Sequence, residues 1–279
     1  MLRKILKILF ILVLFVVILD IGLKLSLLYV TRALPWQKPT FDFKRPLDPG
    51  PVGPKGVLIF SKTNGYRHNS IEPAIAALKK AGKEKGWQIY NTESGAFFND
   101  EYLQRFKVVV FLSTTGDILT SEQEKAFEDW EENGGGYVGI HAAADCEYGW
   151  SWYDQLLGTH FRDHPLLPHI SDAEIITDDS RDPTTLHLPS KWHKTDEWYN
   201  FKQDVRGKKN IHILLSLNEA SYISIWPFQR MGGDHPLSWT NTIGKGRMFY
   251  TAMGHNTSTF RDQNAIGHII AGIGWAGRF

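Results

Sequence analysis

The sequence contains a single cysteine, Cys146, among 279 residues. One cysteine excludes an intrachain disulfide and any metal site built from paired thiolates. No Gly-x-Ser-x-Gly, His-Glu-x-x-His or Cys-x-x-Cys motif occurs, so the local signatures of serine hydrolases, zinc peptidases and thiol redox proteins are missing. Neither sign of charge dominates, because 31 basic residues face 30 acidic ones. This balance argues against nucleic acid as a partner.

The amino terminus is the one long apolar segment. Three basic residues among the first seven positions precede the unbroken apolar run Ile8–Leu19. With Asp20 and Lys24 included, the segment extends to Val30 and is long enough to span a bilayer. Basic residues before an apolar core are typical of signal sequences, and basic flanks stay in the cytoplasm. We therefore predict an uncleaved signal anchor over residues 1–30, with the following domain in the periplasm or otherwise outside the cytoplasmic membrane.

Proline marks the next segment. Residues 31–56 contain six prolines, which predicts an extended linker rather than a packed element. The remaining residues, 57–279, have the length of one α/β domain with a sizeable core.

Short apolar runs alternate with helical patterns through the first half of this domain. We predict strands at 57–60, 87–90 and 108–112, a glycine-led strand that ends at His141, a helix after Asn69 or Ser70, a short helix at 99–106 and a helix after Thr120 or Ser121. The pattern loosens after Trp150 into loops and shorter strands, among them 173–177 and 211–217, and regular order returns with a strand at 247–253 and a helix at about 262–275. This alternation predicts a doubly wound, mostly parallel sheet, flavodoxin-like in type, with helices on both faces.

Three histidines follow predicted strands. His141 comes at the end of the glycine-led strand, and His68 and His255 come within one loop of the strands at 57–60 and 247–253. Ligands of open α/β sheets bind at the carboxyl ends of the strands. We therefore predict that the three imidazoles share one cleft, with His141 as a general base or a metal ligand.

Two further pairs of residues are spaced four apart. On a helix, His193 and Glu197 would share one face, whereas on a loop their spacing carries no meaning. The pair could ligate a metal, form a base with its orienting carboxylate, or be an ordinary surface ion pair. His160 and His164 have the same spacing. A zinc site needs about three protein ligands, which this chain could assemble only through its tertiary fold.

Several sequence blocks together resemble the ThuA-like (trehalose utilisation) family. They cover most of the predicted domain, and their order as well as their content carries the resemblance. The blocks are Gly65–Ile71, Gly139–Asp145, Leu157-Gly158 with Phe161 and His164-Pro165, Asp196–Tyr199, and Gly244–Arg247 with Gly254-His255.

The resemblance implies a fold related to class I glutamine amidotransferases, in which His141 occupies the position of the amidotransferase cysteine. Glutaminase activity is therefore not expected, and Cys146 lies too far beyond the strand end to replace that nucleophile. The resemblance also implies carbohydrate catabolism through 3-keto sugars, which a partner sugar dehydrogenase would supply.

A keto-sugar substrate needs a base at C2, a stabiliser for the enolate and an acid for the leaving oxygen. We expect His141, His193, Glu197 and His255 to be catalytic and His68, Asp145, His164 and Arg247 to bind substrate, with a divalent metal ion as an alternative stabiliser. A non-catalytic carbohydrate-binding protein on the same fold remains the alternative.

Overall fold

The computed structural model describes residues 2–30, 34, 37–226 and 228–279. The helices in these ranges are α1 (Leu2–Val30), α2 (Ile71–Lys85), α3 (Asp100–Leu103), α4 (Ser121–Glu132), α5 (Ser151–Leu157) and α6 (Gln263–Gly277). The strands are β1 (Gly56–Phe60), β2 (Gln88–Thr92), β3 (Val108–Leu112), β4 (Thr115–Gly116), β5 (Gly136–Ile140), β6 (Asp145–Cys146), β7 (Phe161–Asp163), β8 (Ser171–Thr177), β9 (Lys191–Asp196), β10 (Asn200–Phe201), β11 (His212–Leu217), β12 (Pro236–Asn241) and β13 (Arg247–Thr251).

Nine of these strands form one mixed sheet in the order β2-β1-β3-β5-β13-β12-β11-β8-β9. The five strands from β2 to β13 are parallel, and β1, β3 and β5 are buried along their whole length. Strands buried on both faces read as continuous apolar runs, which is why the sequence predicted them.

The expectation of a mostly parallel sheet is wrong for the other half. Each pairing from β13 to β9 is antiparallel. Parallel neighbours need a crossover of a dozen or more residues, usually a helix. The turn between β12 and β13 covers only 242–246, and the connection from β8 to β9 contains no helix. These strands therefore pair as hairpins.

Helices cover both faces of the parallel half. In the register, Val110, Val138 and Phe249 share one face, whereas Phe111 and Gly139 share the other. Helix α6 packs against β13 and β5 on the first face. On the second face, Phe127 of α4 stacks on Phe111 at 5.5 Å. The doubly wound arrangement is thus present from β2 to β13.

Helix α1 is not part of this core. It has 29 residues, its described side chains are exposed, and it is long and apolar enough to cross a membrane.

Residues 37–55 of the predicted linker have no regular secondary structure, yet they are bonded to the domain. Asp42 accepts a hydrogen bond from Gly95 N at 3.0 Å, and Arg45 pairs with Glu101 at 2.7 Å. Linker positions 31–33, 35 and 36 lie outside the described residues.

Candidate active site

The three strand-end histidines meet at the carboxyl edge of the parallel strands. Their ring centroids are 4.8 Å apart for His68 and His141, 5.2 Å for His68 and His255, and 5.4 Å for His141 and His255. His68 lies in the loop after β1, His141 directly follows β5, and His255 lies in the turn after β13. Parallel strands bring these loops to one edge, as the topology rule predicts.

His141 is held in a single orientation. Its φ of 52° is left-handed, a conformation that costs energy for a non-glycine residue and concentrates at functional sites. Its Nδ1 lies 2.8 Å from the Ala252 carbonyl oxygen. A carbonyl can only accept, so Nδ1 carries a proton. In the neutral ring, Nε2 is then a bare lone pair.

Glu197 supplies the negative charge of the site. Its side chain is almost fully buried, and Oε2 lies 3.1 Å from His255 Nδ1 and 3.5 Å from His141 Nε2. Its other oxygen lies 3.5 Å from His164 Nε2. One carboxylate therefore faces three imidazoles.

The neighbouring Asp196 ties the end of β9 to the turn after β13. Its carboxylate accepts hydrogen bonds from Gly254 N at 3.0 Å, Asn256 N at 2.8 Å and the Thr259 hydroxyl at 2.6 Å. These bonds bracket His255 on both sides. Asp196 is fully buried and positions both Glu197 and His255.

The pKa values of the cluster residues follow from their burial and from the closeness of their ionisable groups to one another. Burial alone would raise the pKa of Glu197, but its contacts with His141 and His255 hold that pKa well below its usual range. Burial alone would lower the pKa of His255, and the Glu197 carboxylate outweighs this and raises it. Burial, followed by the nearby His141 and His255, lowers the pKa of His68 well below its usual value.

Several buried nitrogens of the cluster lack a partner. His68 Nδ1, His141 Nε2 and His255 Nδ1 have no hydrogen bond of acceptable geometry. Together with a Glu197 oxygen, one ligand atom from each residue lies within 4.8 Å of the others. Three imidazole nitrogens and a carboxylate oxygen are a donor set that suits zinc and similar divalent ions. The residues present therefore fit a divalent metal ion.

A cavity of about 280 Å³ opens onto this cluster. Asp145 lines it, and burial raises the pKa of that carboxyl to about 6. The Tyr148 hydroxyl donates a hydrogen bond to Asp145 Oδ1 at 2.7 Å. The lining side chains are Leu27, Val30, Tyr66, His68, Asp145, Phe161, His164, His169, Glu197, Tyr199 and His255.

The structure thus brings together six of the eight predicted site residues and leaves two outside, since five line the cavity and His141 belongs to the adjoining cluster. His193 is mostly exposed and pairs with Asp172 at 2.7 Å. It lies on a strand, not a helix, and the alternation of β9 turns it away from the buried side chains. Arg247 begins β13 and bonds to the Trp275 carbonyl oxygen, so it lies at the opposite edge of the sheet from His255. Neither residue joins the cluster.

Two other polar groups considered from the sequence are engaged elsewhere. His160 Nε2 lies 2.5 Å from Asp154 Oδ1. Cys146 is buried, and burial raises the pKa of its thiol well above its usual range, so it remains protonated. An unreactive thiol agrees with its interpretation as a structural residue.

Sequence reasoning missed Asp196 and Tyr199 as parts of the site. The ring of Tyr199 packs on His141 with centroids 4.2 Å apart. Both residues lie beside Glu197 in the block Asp196–Tyr199, so this block was the sequence signal that could have identified them. His169 and Tyr66, which also line the cavity, were not singled out either.

Comparison with known proteins agrees with the architecture. Residues 56–276 match the family described as ThuA, trehalose utilisation. A ThuA-like protein from Bacteroides uniformis ATCC 8492 is similar in structure, with a TM-score of 0.65, 24% identity, and coverage of 84% of this chain and 95% of that one. A ThuA-like protein from Parabacteroides merdae ATCC 43184 has a TM-score of 0.64 and 21% identity, with coverage of 81% and 90%.

Curated protein sequences yield no significant match. Since the family match spans the domain from β1 into α6, the chain belongs to the ThuA, or trehalose utilisation, family.

Proposed function

We propose that this chain is a membrane-anchored enzyme of carbohydrate catabolism that cleaves a 3-keto-glycoside with a divalent metal ion in its site. One observation carries the proposal. His141 Nε2, a bare lone pair in the neutral ring, faces Glu197 Oε2 at 3.5 Å, and neither atom can donate to the other. Two buried acceptors in contact are unfavourable unless a cation or a proton lies between them.

The ligand assignment follows from the unpartnered nitrogens. His68, His141 and His255 would hold the ion with Glu197, whose contacts with His141 and His255 leave it ionised. A divalent ion supplies positive charge to the sugar's carbonyl oxygen when it is bound. In this proposal His141 is a ligand rather than the base, because its free nitrogen points at Glu197.

Proton transfer falls to other side chains that line the same cavity. The C3 ketone acidifies the C2–H bond. A base removes that proton, the C1–O bond breaks, and the leaving oxygen takes up a proton. Asp145, with a pKa raised to about 6, titrates near working pH and can hold or release a proton. His164 lines the same cavity and is the second candidate. The 3-keto substrate would come from a sugar dehydrogenase.

Membrane anchoring rests on α1. Its length and its exposed apolar side chains suit a bilayer span, and the basic residues at its start favour the cytoplasmic side for its amino end. The domain would then face the periplasm or the cell exterior.

Metal content and activity of matched variants test this proposal. We expect purified full-length protein to retain about one equivalent of a divalent metal and to cleave 3-keto-glucosides. His141→Ala should lose both properties. His193→Gln, which alters an exposed histidine outside the cluster, should retain both. Wild-type protein that binds no metal and leaves 3-keto-glucosides intact would overturn the proposal.

A carbohydrate-binding function without catalysis is the second candidate. The aromatic side chains of Tyr66, Phe161 and Tyr199 line the cavity, where a bound sugar would contact them. This alternative predicts saturable sugar binding by the wild-type protein without turnover.

A further inference from the structure

Two neighbouring loops expose large apolar side chains beside the cavity. We call Leu166, Leu167, Ile223, Ile225 and Phe228 the apolar loop patch; their exposed fractions run from 53% to 72%. Apart from this patch, the exposed large apolar residues of 37–226 and 228–279 are Phe43, Leu47, Tyr148 and Leu186. Contiguous exposed apolar surface marks sites of contact with a protein or a membrane.

The patch is held in place by hydrogen bonds. Ile225 N donates to the Leu167 carbonyl oxygen at 3.3 Å, and Leu166 N donates to Gln229 Oε1 at 3.1 Å. At the base of the second loop, the Glu219 carboxylate accepts bonds from three successive backbone N–H groups, those of 231–233. The apolar side chains therefore point outward from loops of defined shape.

The end of α1 lies at the same place. Leu27 and Val30 line the cavity together with His164 and His169, and these two histidines bracket Leu166 and Leu167 in the chain. The last turn of α1 and the loop that carries Leu166 and Leu167 therefore meet at one cavity.

The length of α1 fixes the depth of that turn. At about 1.5 Å per residue, its 29 residues extend about 43 Å, whereas the hydrocarbon core of a bilayer is about 30 Å thick. With the basic residues at the start of α1 in the cytoplasmic interface, the last turn emerges at the opposite surface. The cavity then lies at the bilayer surface.

We infer that the apolar loop patch inserts into the interface of the bilayer that α1 crosses, so that the cavity faces the membrane. This inference rests on the proposed anchoring. The partner is a lipid surface, because α1 brings the patch to the lipid headgroups. Burying the five side chains there removes apolar area from water, which favours insertion.

Site-specific fluorescence in vesicles tests the inference. The full chain carrying Phe228→Cys or Leu186→Cys is labelled with an environment-sensitive fluorophore and reconstituted into phosphatidylcholine–phosphatidylglycerol vesicles. Cys146 is fully buried and does not compete for the label. Leu186 is the matched control, since its exposed fraction of 67% is close to the 72% of Phe228. Ile225→Cys serves as a second probe if the first variant fails to fold.

We expect both labelled chains to float with the vesicles. The label at 228 should show a blue-shifted emission and at least a twofold loss of intensity with spin-labelled lipid, while the label at 186 should respond only to aqueous iodide. Equal iodide access at both positions overturns the inference and leaves the anchoring intact. A label at 228 that is shielded in detergent in a concentration-dependent manner indicates a second copy as occupant and also overturns it.

Failure of the proposed function gives different results. A chain that does not float removes both the anchoring and this inference. Metal content and cleavage of 3-keto-glucosides, measured on the same preparation, report on the histidine cluster regardless of where the patch lies.

Discussion

The parallel and antiparallel halves of the sheet contribute to the candidate site in different ways. In the parallel half, from β2 to β13, His68, His141 and His255 lie beyond strand ends that the topology brings to one edge. In the antiparallel half, Glu197 lies just beyond β9, the last strand of the sheet. It reaches the histidines because Asp196 is bonded to the turn after β13.

The two halves of the sheet meet two different requirements of such a site. The parallel half provides imidazoles that crowd one another, and burial with like charges nearby lowers the pKa of His68. The antiparallel half provides a negative charge among them, which raises the pKa of His255 and would hold a cation in the proposed site. Each half alone would be incomplete, since neutral rings lack charge and a buried carboxylate lacks partners.

Removing the charge supplied by the antiparallel half should have the largest effect. We expect Glu197→Gln to reduce metal affinity and activity by at least about 100-fold, because a neutral amide is a poor metal ligand. Elemental analysis and kinetics on 3-keto-glucosides measure both quantities. Retained metal with normal turnover would show that the histidines suffice.

Loosening the junction between the halves should have the next largest effect. Asp196→Asn weakens the acceptor of the bonds from Gly254, Asn256 and Thr259, so His255 should lose its position. We expect metal affinity to fall about 10- to 100-fold and the free energy of unfolding to fall by about 1–3 kcal/mol.

Thr259→Val is a milder change at this junction, since it removes a single hydrogen-bond donor to Asp196. Metal titration and denaturant unfolding should show a smaller loss in each. An Asp196→Asn variant that loses stability but binds metal normally would reduce Asp196 to a structural residue.

The opposite edge of the parallel half also contains a buried carboxyl group, that of Glu131. Glu131 is fully buried, its carboxylate oxygens have no hydrogen-bond partner, and burial raises its pKa to about 8. The folded state thus keeps a proton that the unfolded chain releases near pH 4.5, and stability falls as pH rises from there through about 8.

We therefore expect Glu131→Gln to unfold like wild type at pH 4 and to be more stable at pH 8, by about 2–4 kcal/mol. Denaturant unfolding in detergent at the two pH values measures the difference. Parallel stability profiles across this range would contradict the raised pKa.

Changes at His193 should have the smallest effect. His193→Gln removes an exposed pair with Asp172, and such pairs contribute about 0–1 kcal/mol. We expect metal content and turnover within twofold of wild type. A loss comparable to that of Glu197→Gln would place His193 in the site after all.

The parallel half of the fold could be predicted because its strands are short, its central strands are apolar, and helical patterns separate them. Val108–Leu112 illustrates this, since the run is buried at each position. The antiparallel half could be predicted only in part. The apolar runs at 173–177 and 211–217 predict β8 and β11. No such run marks β9, because its side chains alternate between exposed and buried, and the spacing of His193 and Glu197 fits a helix or a loop.

The sequence alone determined that the three strand-end histidines would meet, because parallel strands place their carboxyl ends together whatever their neighbours are. The long apolar helix could also be predicted from the sequence, because its composition and length are local properties of the chain. Folding in three dimensions selected Glu197 and excluded His193 and Arg247. That selection depends on which way a strand's side chains alternate and on which edge of the sheet a residue occupies, and both are properties of pairing between distant segments.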